Sequence, residues 1–287
     1  MDTAILQALE KIRCPFLDVF FGIFTALGEE MIVAAVIAVI YICFSKRVGE
    51  QALVTVLTAS CFTAAIKSGV RRLRPYEAGT VDRVNIDNPL VSTADLDADM
   101  SFPSGHATAT GGFFSALAIR IRTPLAIVLC SVFVLLVMLS RLYLGVHYPT
   151  DVLAGLAVGA GCAFLWNFIY YKWYGARLYI YLGIAICTLP LLFFERTGTE
   201  SMFQISALTL ATAAGLLIED KFIRFEDTKR WLHCLFRLLI VLACAAVPYL
   251  ALHFALPDGN WFSFLTYFAA LFSAMTLAPF LYKKLKI

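Results

Sequence analysis

The chain has 287 residues, 61% of them hydrophobic and 15% charged, with a formal net charge of +3 and a mean hydropathy of +0.81. Soluble domains carry about 25% charged residues, so a soluble fold could not hide this much apolar surface and lipid must solvate much of it. The small positive charge gives no reason to invoke nucleic acid, because basic residues in a membrane chain report topology first.

The expected fold class is therefore all-α, a polytopic helical membrane protein. A span takes ~20 apolar residues, and lipid-exposed backbone must satisfy its own hydrogen bonds. The apolar runs are too long for the ~10-residue alternation of a membrane barrel. The eight cysteines form no CxxC pair, and nearly all lie inside apolar runs. They read as small buried hydrophobes rather than a disulfide or metal framework.

Residues 1–13 read as a short amphipathic helix. Asp2 and Glu10, with no basic start before an apolar core, do not fit a signal peptide. Residues 15–27 are apolar but too short to span, and Gly28-Glu29-Glu30 interrupts them. The segment 1–28 is expected at the interface, a short or re-entrant span being the alternative. Nine candidate spans follow, near 31–45, 50–69, 105–120, 124–141, 149–171, 177–194, 201–218, 233–254 and 261–282. The expected organisation is an interfacial N-terminus (1–28), a catalytic core (29–172) and a C-terminal transmembrane extension of about four helices (173–287).

Nine spans alternate the connecting loops between two sides. One side receives Lys46, Arg47, Arg120, Arg122, Lys172, Arg177, the Lys221–Arg230 loop and the tail lysines. Cytoplasmic loops carry the Lys/Arg excess, so that side, with the C-terminus, is expected in the cytoplasm. The loops 70–104 and 142–148 then face the extracellular, periplasmic or lumenal side. The cluster around Arg71 and Arg74 lies there against the trend, and an anionic substrate supplies a reason.

Three polar islands interrupt the oily chain. The first holds Lys67 and Arg74-Pro75, the second is Pro103-Ser104-Gly105-His106, and the third runs from Ser140-Arg141 through His147 to Asp151. Lys67, Arg74 and Arg141 fall at the outer ends of spans. Each alone could snorkel to headgroups; together, beside two of the four histidines, they could neutralise a phosphoryl group and its transition-state charge. Ser104 can cap a helix whose first N–H groups, at Gly105 and onward, are open to an anion. His106 then lies where a phosphoester oxygen would sit. Pro149 suits the first position of a helix, which puts Asp151 in a first turn. There it can accept a hydrogen bond from His147 and leave the other ring nitrogen free to attack phosphorus. The bland reading of both histidine islands is a helix cap beside an interfacial imidazole. The acidic loop 76–100 reads as solvated; a lid or divalent-ion site is the alternative, but Asp95, Asp97 and Asp99 lack the rest of an EF-hand pattern.

These islands match three motifs, KxxxxxxRP, PSGH and SRxxxxxHxxxD, at every fixed position and gap. The chain resembles the type 2 phosphatidic acid phosphatase superfamily, which includes lipid phosphate phosphatases, acid phosphatases and vanadium haloperoxidases, over roughly 15–171. The resemblance implies His147 as nucleophile, Asp151 as its orienting acid and His106 as the acid for the leaving group. It implies Lys67, Arg74, Ser104, Gly105 and Arg141 as the phosphate grip, with no metal and no cofactor. The implied partner is a lipid phosphate within the membrane, such as phosphatidic acid, phosphatidylglycerol phosphate, sphingosine-1-phosphate or undecaprenyl diphosphate. The C-terminal extension departs from a minimal member and is weakly similar in architecture to sphingosine-1-phosphate phosphatases; homodimerisation and shaping of a lipid groove both stand open for it. The Glu219–Arg230 loop reads as a topology signal, with a partner or headgroup site as the alternative, and His233 and His253 read as structural. The competing function classes are a silent lipid-phosphate binder or transporter and an oxidative vanadate enzyme. The intact histidines and Asp151 speak against the first, and the lipid-embedded architecture against the second.

Overall fold

A computed structural model describes residues 2–84, 100–194, 199–228 and 230–287. The described residues form eleven α-helices. They are α1 (Asp2–Lys11), α2 (Pro15–Leu27), α3 (Glu30–Val39), α4 (Lys46–Val70), α5 (Gly105–Ile121), α6 (Pro124–Tyr143), α7 (Pro149–Lys172), α8 (Arg177–Thr188), α9 (Glu200–Ile218), α10 (Trp231–Ala255) and α11 (Asn260–Leu285). The chain is a multi-pass membrane protein. Seven of its helical segments are long and apolar enough to cross a bilayer, and the α2–α3 pair makes an eighth if its two limbs count as one.

Two of the nine expected spans differ. The run near 31–45 is carried by α3 and a π-helical turn at Ile40–Phe44, which meet α2 at a bend of 51°. Gly28, Glu29 and Glu30 break the apolar run there: Glu29 lies at the His106 end of the bundle, while Ile42 at the other end of this limb accepts from Arg237. The run near 105–120 becomes α5, which has 17 residues, at the lower end of what spans a hydrocarbon core. It is sheathed by α4, α6 and α7, which limits how much of it must face lipid.

Helix starts follow local chemistry. Pro15, Pro124 and Pro149 open α2, α6 and α7, where a missing N–H costs no helical bond. Thr123 caps α6 by accepting from Ala126 N at 3.3 Å, and Ser104 caps α5 by accepting from Ala107 N at 3.5 Å. Helix packing in lipid depends on close backbone approach at small residues, and α5 against α7 is the clearest case. A Cβ on Gly155 would lie 2.6 Å from Ser104 O, and one on Gly159 would collide with Thr108 O and Gly112 N. This seam holds the helix beginning at Gly105 against the helix beginning at Pro149.

The other end of the bundle is held by ions. Glu50 of α4, 2% exposed, accepts from Tyr170 Oη at 2.6 Å and Arg177 Nε at 2.7 Å. Arg177 also reaches Asp220 at 2.9 Å, and Lys46 pairs with Glu219. A buried charge left unpaired is strongly destabilising, so this network fixes how α8 and α9 meet α4 and α7. Near the opposite end, Ala64 of α4 packs with Leu192, Met202 and Phe203. The C-terminal helices are thus packed against the α4–α7 bundle at both ends.

The seam gives a direct test. Gly159→Ala is expected to destabilise the purified protein by about 1–3 kcal/mol through overpacking, read as a lower thermal midpoint in detergent. Gly161→Ala, whose Cβ would meet nothing within 4 Å, is expected to leave the midpoint unchanged or slightly higher. Equal effects at the two positions would contradict the packing account.

Candidate active site

All eight sequence-nominated residues lie at one end of the bundle. Lys67 is in the last turn of α4, and Arg74 follows it in the loop. Ser104, Gly105 and His106 open α5, Arg141 is in the last turn of α6, and Asp151 is in the first turn of α7. The C-terminal ends of α4 and α6 and the N-terminal ends of α5 and α7 thus meet at one end of the bundle.

The His147 half is rigidly held. Its Nδ1 lies 2.9 Å from the carbonyl oxygen of Ser101, which can only accept, so Nδ1 carries the proton. Nε2 is left with its lone pair, 3.4 Å from the Nη1 of Arg74. Arg74 Nη1 also donates to Val146 O at 3.2 Å, and its side chain is buried. Burial pushes the His147 pKa well below its ordinary value, and the charges of Arg74, Arg141 and Lys67 push the same way. The imidazole is therefore neutral at neutral pH, the form a nucleophile needs.

Asp151 supports this half less directly than its spacing suggests. Its Oδ2 is 3.6 Å from His147 Nδ1, beyond hydrogen-bond reach. Ser101 stands between them. Its hydroxyl donates to Asp151 Oδ2 at 2.5 Å and lies 3.5 Å from Nδ1, while its carbonyl takes the Nδ1 proton. Asp151 Oδ2 also accepts from Tyr148 N at 2.8 Å, and Oδ1 accepts from Arg72 Nη1 at 2.7 Å. Arg72 stacks over the Tyr148 ring at 3.8 Å and reaches Thr150 and Asp2. These donors tie the fully buried Asp151 carboxyl to the loop carrying His147 and anchor that loop at the start of α7.

The His106 half is built differently. His106 Nε2 is 3.0 Å from Glu29 Oε2 and 3.4 Å from Arg141 Nη1. Arg141 Nη1 donates to Thr25 Oγ at 2.5 Å. The Nε and Nη2 of Arg141 are buried with no hydrogen-bond partner. Unmatched buried donors are costly, and two on one guanidinium fit an anion with paired oxygens. The first N–H groups of α5, on Gly105 and His106, lack intrahelical acceptors and face the same kind of ligand. Gly105 leaves space that a side chain would fill: its Cβ would lie 2.6 Å from Glu30 Oε1 and 4.0 Å from Lys67 Nζ.

Several site residues were not nominated from the sequence. Ser101 stands three residues before Ser104 and Arg72 lies inside the first island, so proximity was a usable signal for both. Thr25 and Glu29 come from the α2–α3 break, more than 75 residues before His106 in the chain, and carried no motif. The N-terminal helices also buttress the site: Tyr143 Oη donates to Asp18 at 2.6 Å, Arg13 donates to Tyr143 O, and Leu6 is buried beside Tyr148 and Val152. The lid or ion-site reading of the acidic loop falls on residues 85–99, Asp95, Asp97 and Asp99 among them, which lie outside the described residues.

Comparison with known proteins places this geometry in context. Residues 50–177 match the PAP2 superfamily model, and residues 203–287 match the transmembrane extension of PAP2 superfamily phosphatases. The lipid A 4'-phosphatase of Bacteroides thetaiotaomicron is 30% identical over 181 residues, 60% of this chain and 78% of that protein. The lipid A 1-phosphatase of Rhizobium etli is 31% identical over 124 residues, 43% of this chain and 50% of that one; the chain spans about half the length of such relatives. The crystal structure of a transmembrane PAP2-type phosphatidylglycerolphosphate phosphatase from Bacillus subtilis superposes with a TM-score of 0.51 at 25% identity, covering 60% of this chain and 85% of that one.

Histidine NMR tests the tautomer. As pH falls from about 8 to about 5, through the ordinary imidazole range near ~6.5, the resonance lost in His147→Asn is expected to stay neutral with the proton on Nδ1. A titration near the ordinary value, or an Nε2–H tautomer, would contradict the assigned contacts.

Proposed function

The chain belongs to the PAP2 superfamily, and from that premise we propose that it is a membrane phosphatase hydrolysing a lipid phosphate at the outer bilayer face through a phosphohistidine. The observation that carries the reading is the buried Arg141 guanidinium, with Nε and Nη2 unmatched beside two imidazoles. A phosphoryl group accepted by those donors, by Arg74 and Lys67, and by the first N–H groups of α5 would present phosphorus to His147 Nε2.

The steps start from the His147 tautomer, with Nδ1–H on the Ser101 carbonyl and Nε2 free. The Nε2 lone pair of His147 bonds to phosphorus as the phosphorus–oxygen bond to the lipid breaks, and His106 gives its Nε2 proton to the departing oxygen. His147 becomes positive as it is phosphorylated. The Ser101 carbonyl accepts its Nδ1–H, and the Asp151 carboxylate offsets the charge from 3.6 Å. In the second half His106, now neutral, takes a proton from water as that water attacks phosphorus. The phosphorus–nitrogen electrons return to His147, and inorganic phosphate leaves. The grip of Lys67, Arg74 and Arg141 stabilises the charge on the equatorial oxygens in both halves.

The outer-face assignment is supported by the Lys/Arg excess at the opposite end of the bundle. An amphiphile could present its headgroup to the site there while its tails stay in lipid. The relatives named above as lipid A and phosphatidylglycerolphosphate phosphatases support a glycolipid or glycerolipid phosphate as the substrate class.

Purified protein in mixed micelles, offered phosphatidic acid, phosphatidylglycerol phosphate, lipid A and undecaprenyl diphosphate, is expected to release phosphate from at least one. His147→Ala is expected to lower that rate by about 10³-fold or more. In His106→Asn an acid-labile phosphoprotein is expected to accumulate when labelled substrate is added. No release from any lipid, or release indifferent to His147→Ala, would refute the proposal.

A further inference from the structure

Glu29 belongs to none of the three motifs, yet it holds the atom on which leaving-group departure depends. Its Oε2 is 3.0 Å from His106 Nε2, the nitrogen that would protonate the departing oxygen. Glu29 stands at the break between α2 and α3, with its side chain 52% exposed while that of His106 is 11% exposed. It therefore stands at the exposed edge of the site, beside His106. Its neighbour Glu30 reaches the same region, with Oε1 2.6 Å from where a Gly105 Cβ would start.

Charge in the site is thus divided. Arg74 lies beside His147 and Arg141 beside His106, with Lys67 near the start of α5. Glu29 and Glu30 occupy the side from which the rest of the substrate leaves. Arg72, a fourth basic side chain at this end, is committed to Asp151, Asp2, Thr150 and the Tyr148 ring.

From this division we infer that Glu29 is a specificity-determining residue that makes the site selective for lipid phosphate monoesters over diphosphates. The inference rests on the phosphatase reading above. The leaving oxygen must sit within a hydrogen bond, ~2.8 Å, of His106 Nε2, so with the 3.0 Å Glu29 contact it lies no more than roughly 6 Å from the carboxylate. When a monoester reacts, that oxygen belongs to an uncharged alcohol, and a neighbouring hydroxyl on a glycerol or sugar headgroup can donate to Glu29. When the terminal phosphate of a diphosphate is attacked, the same oxygen belongs to a departing lipid phosphate that is itself an anion. Like charges at that separation in a partly solvated cleft oppose each other by an amount worth about tenfold in rate. The same carboxylate, 3.0 Å from His106 Nε2, orients that nitrogen for an alcohol leaving group while it repels a phosphate one.

The test uses two probes with one chain, farnesyl monophosphate and farnesyl diphosphate, and the ratio of their kcat/KM values. That ratio is independent of how much of a variant is folded. The wild type is expected to favour the monophosphate by about tenfold or more. Glu29→Gln is expected to narrow the ratio by about tenfold, with the diphosphate value rising relative to the monophosphate value. Glu29→Asp, which keeps the charge, is expected to retain the wild-type preference. A ratio unchanged in Glu29→Gln, or a wild-type preference for the diphosphate, would overturn the inference while leaving the phosphatase reading intact. Release from neither probe by the wild type, together with a silent lipid panel, would instead sink the phosphatase reading. The discrimination is then read by thermal-shift titration with inorganic phosphate and pyrophosphate. Preferential stabilisation by phosphate that is lost in Glu29→Gln supports the selectivity, and the same preference in both proteins overturns it.

Discussion

The arrangement depends on a buried guanidinium that protein groups satisfy only in part. Arg141 is 2% exposed at the end of an apolar helix, and two of its donors have no acceptor. Taking such a group out of water is expensive, and an anion with paired oxygens recovers what was lost. The surroundings follow from that need. Thr25 holds one side of the guanidinium, His106 lies against it, and the start of α5 turns open N–H groups toward the same space.

The relation of the two histidines is in turn a consequence of helix packing. The α5–α7 seam brings backbones together at Gly155 and Gly159, where no side chain would fit. That closeness lets Ser104 N donate to the carbonyl of Asp151 at 3.1 Å, tying the two helix N-termini to each other. The two histidines therefore belong to one rigid frame, although 41 positions separate them in the chain. The ionic cluster around Glu50 and Arg177 sits at the far end. It attaches the C-terminal helices without placing charge near the site.

Much of the candidate site was legible in the sequence because ionisable residues are unusual in an oily chain. Lys67, Arg74, Arg141, His106, His147 and Asp151 are conspicuous as ionisable groups beside apolar runs, and helix periodicity puts them at one set of span ends. The bonding between them was less legible. Spacing suggested that Asp151 would take the Nδ1 proton of His147, whereas the Ser101 carbonyl stands closer and the Ser101 hydroxyl bridges the two. Thr25 and Glu29 were not legible at all. They enter through the docking of α2 and α3 against α5 and α6, a tertiary approach that no local pattern encodes. The bend at Gly28–Glu29 was partly legible, because the Gly-Glu-Glu interruption that ends the apolar run 15–27 is where α2 and α3 meet at 51°.

The account turns on an oxyanion filling the space beside Arg141, and a structure of the protein with vanadate or tungstate bound measures that directly. The metal centre of the oxyanion is expected within bonding distance of His147 Nε2. Its oxygens are expected to accept from Arg141 Nε and Nη2 and from the first N–H groups of α5. An oxyanion bound elsewhere on the protein, or a saturated crystal in which the Arg141 donors are paired with protein groups, would contradict the account.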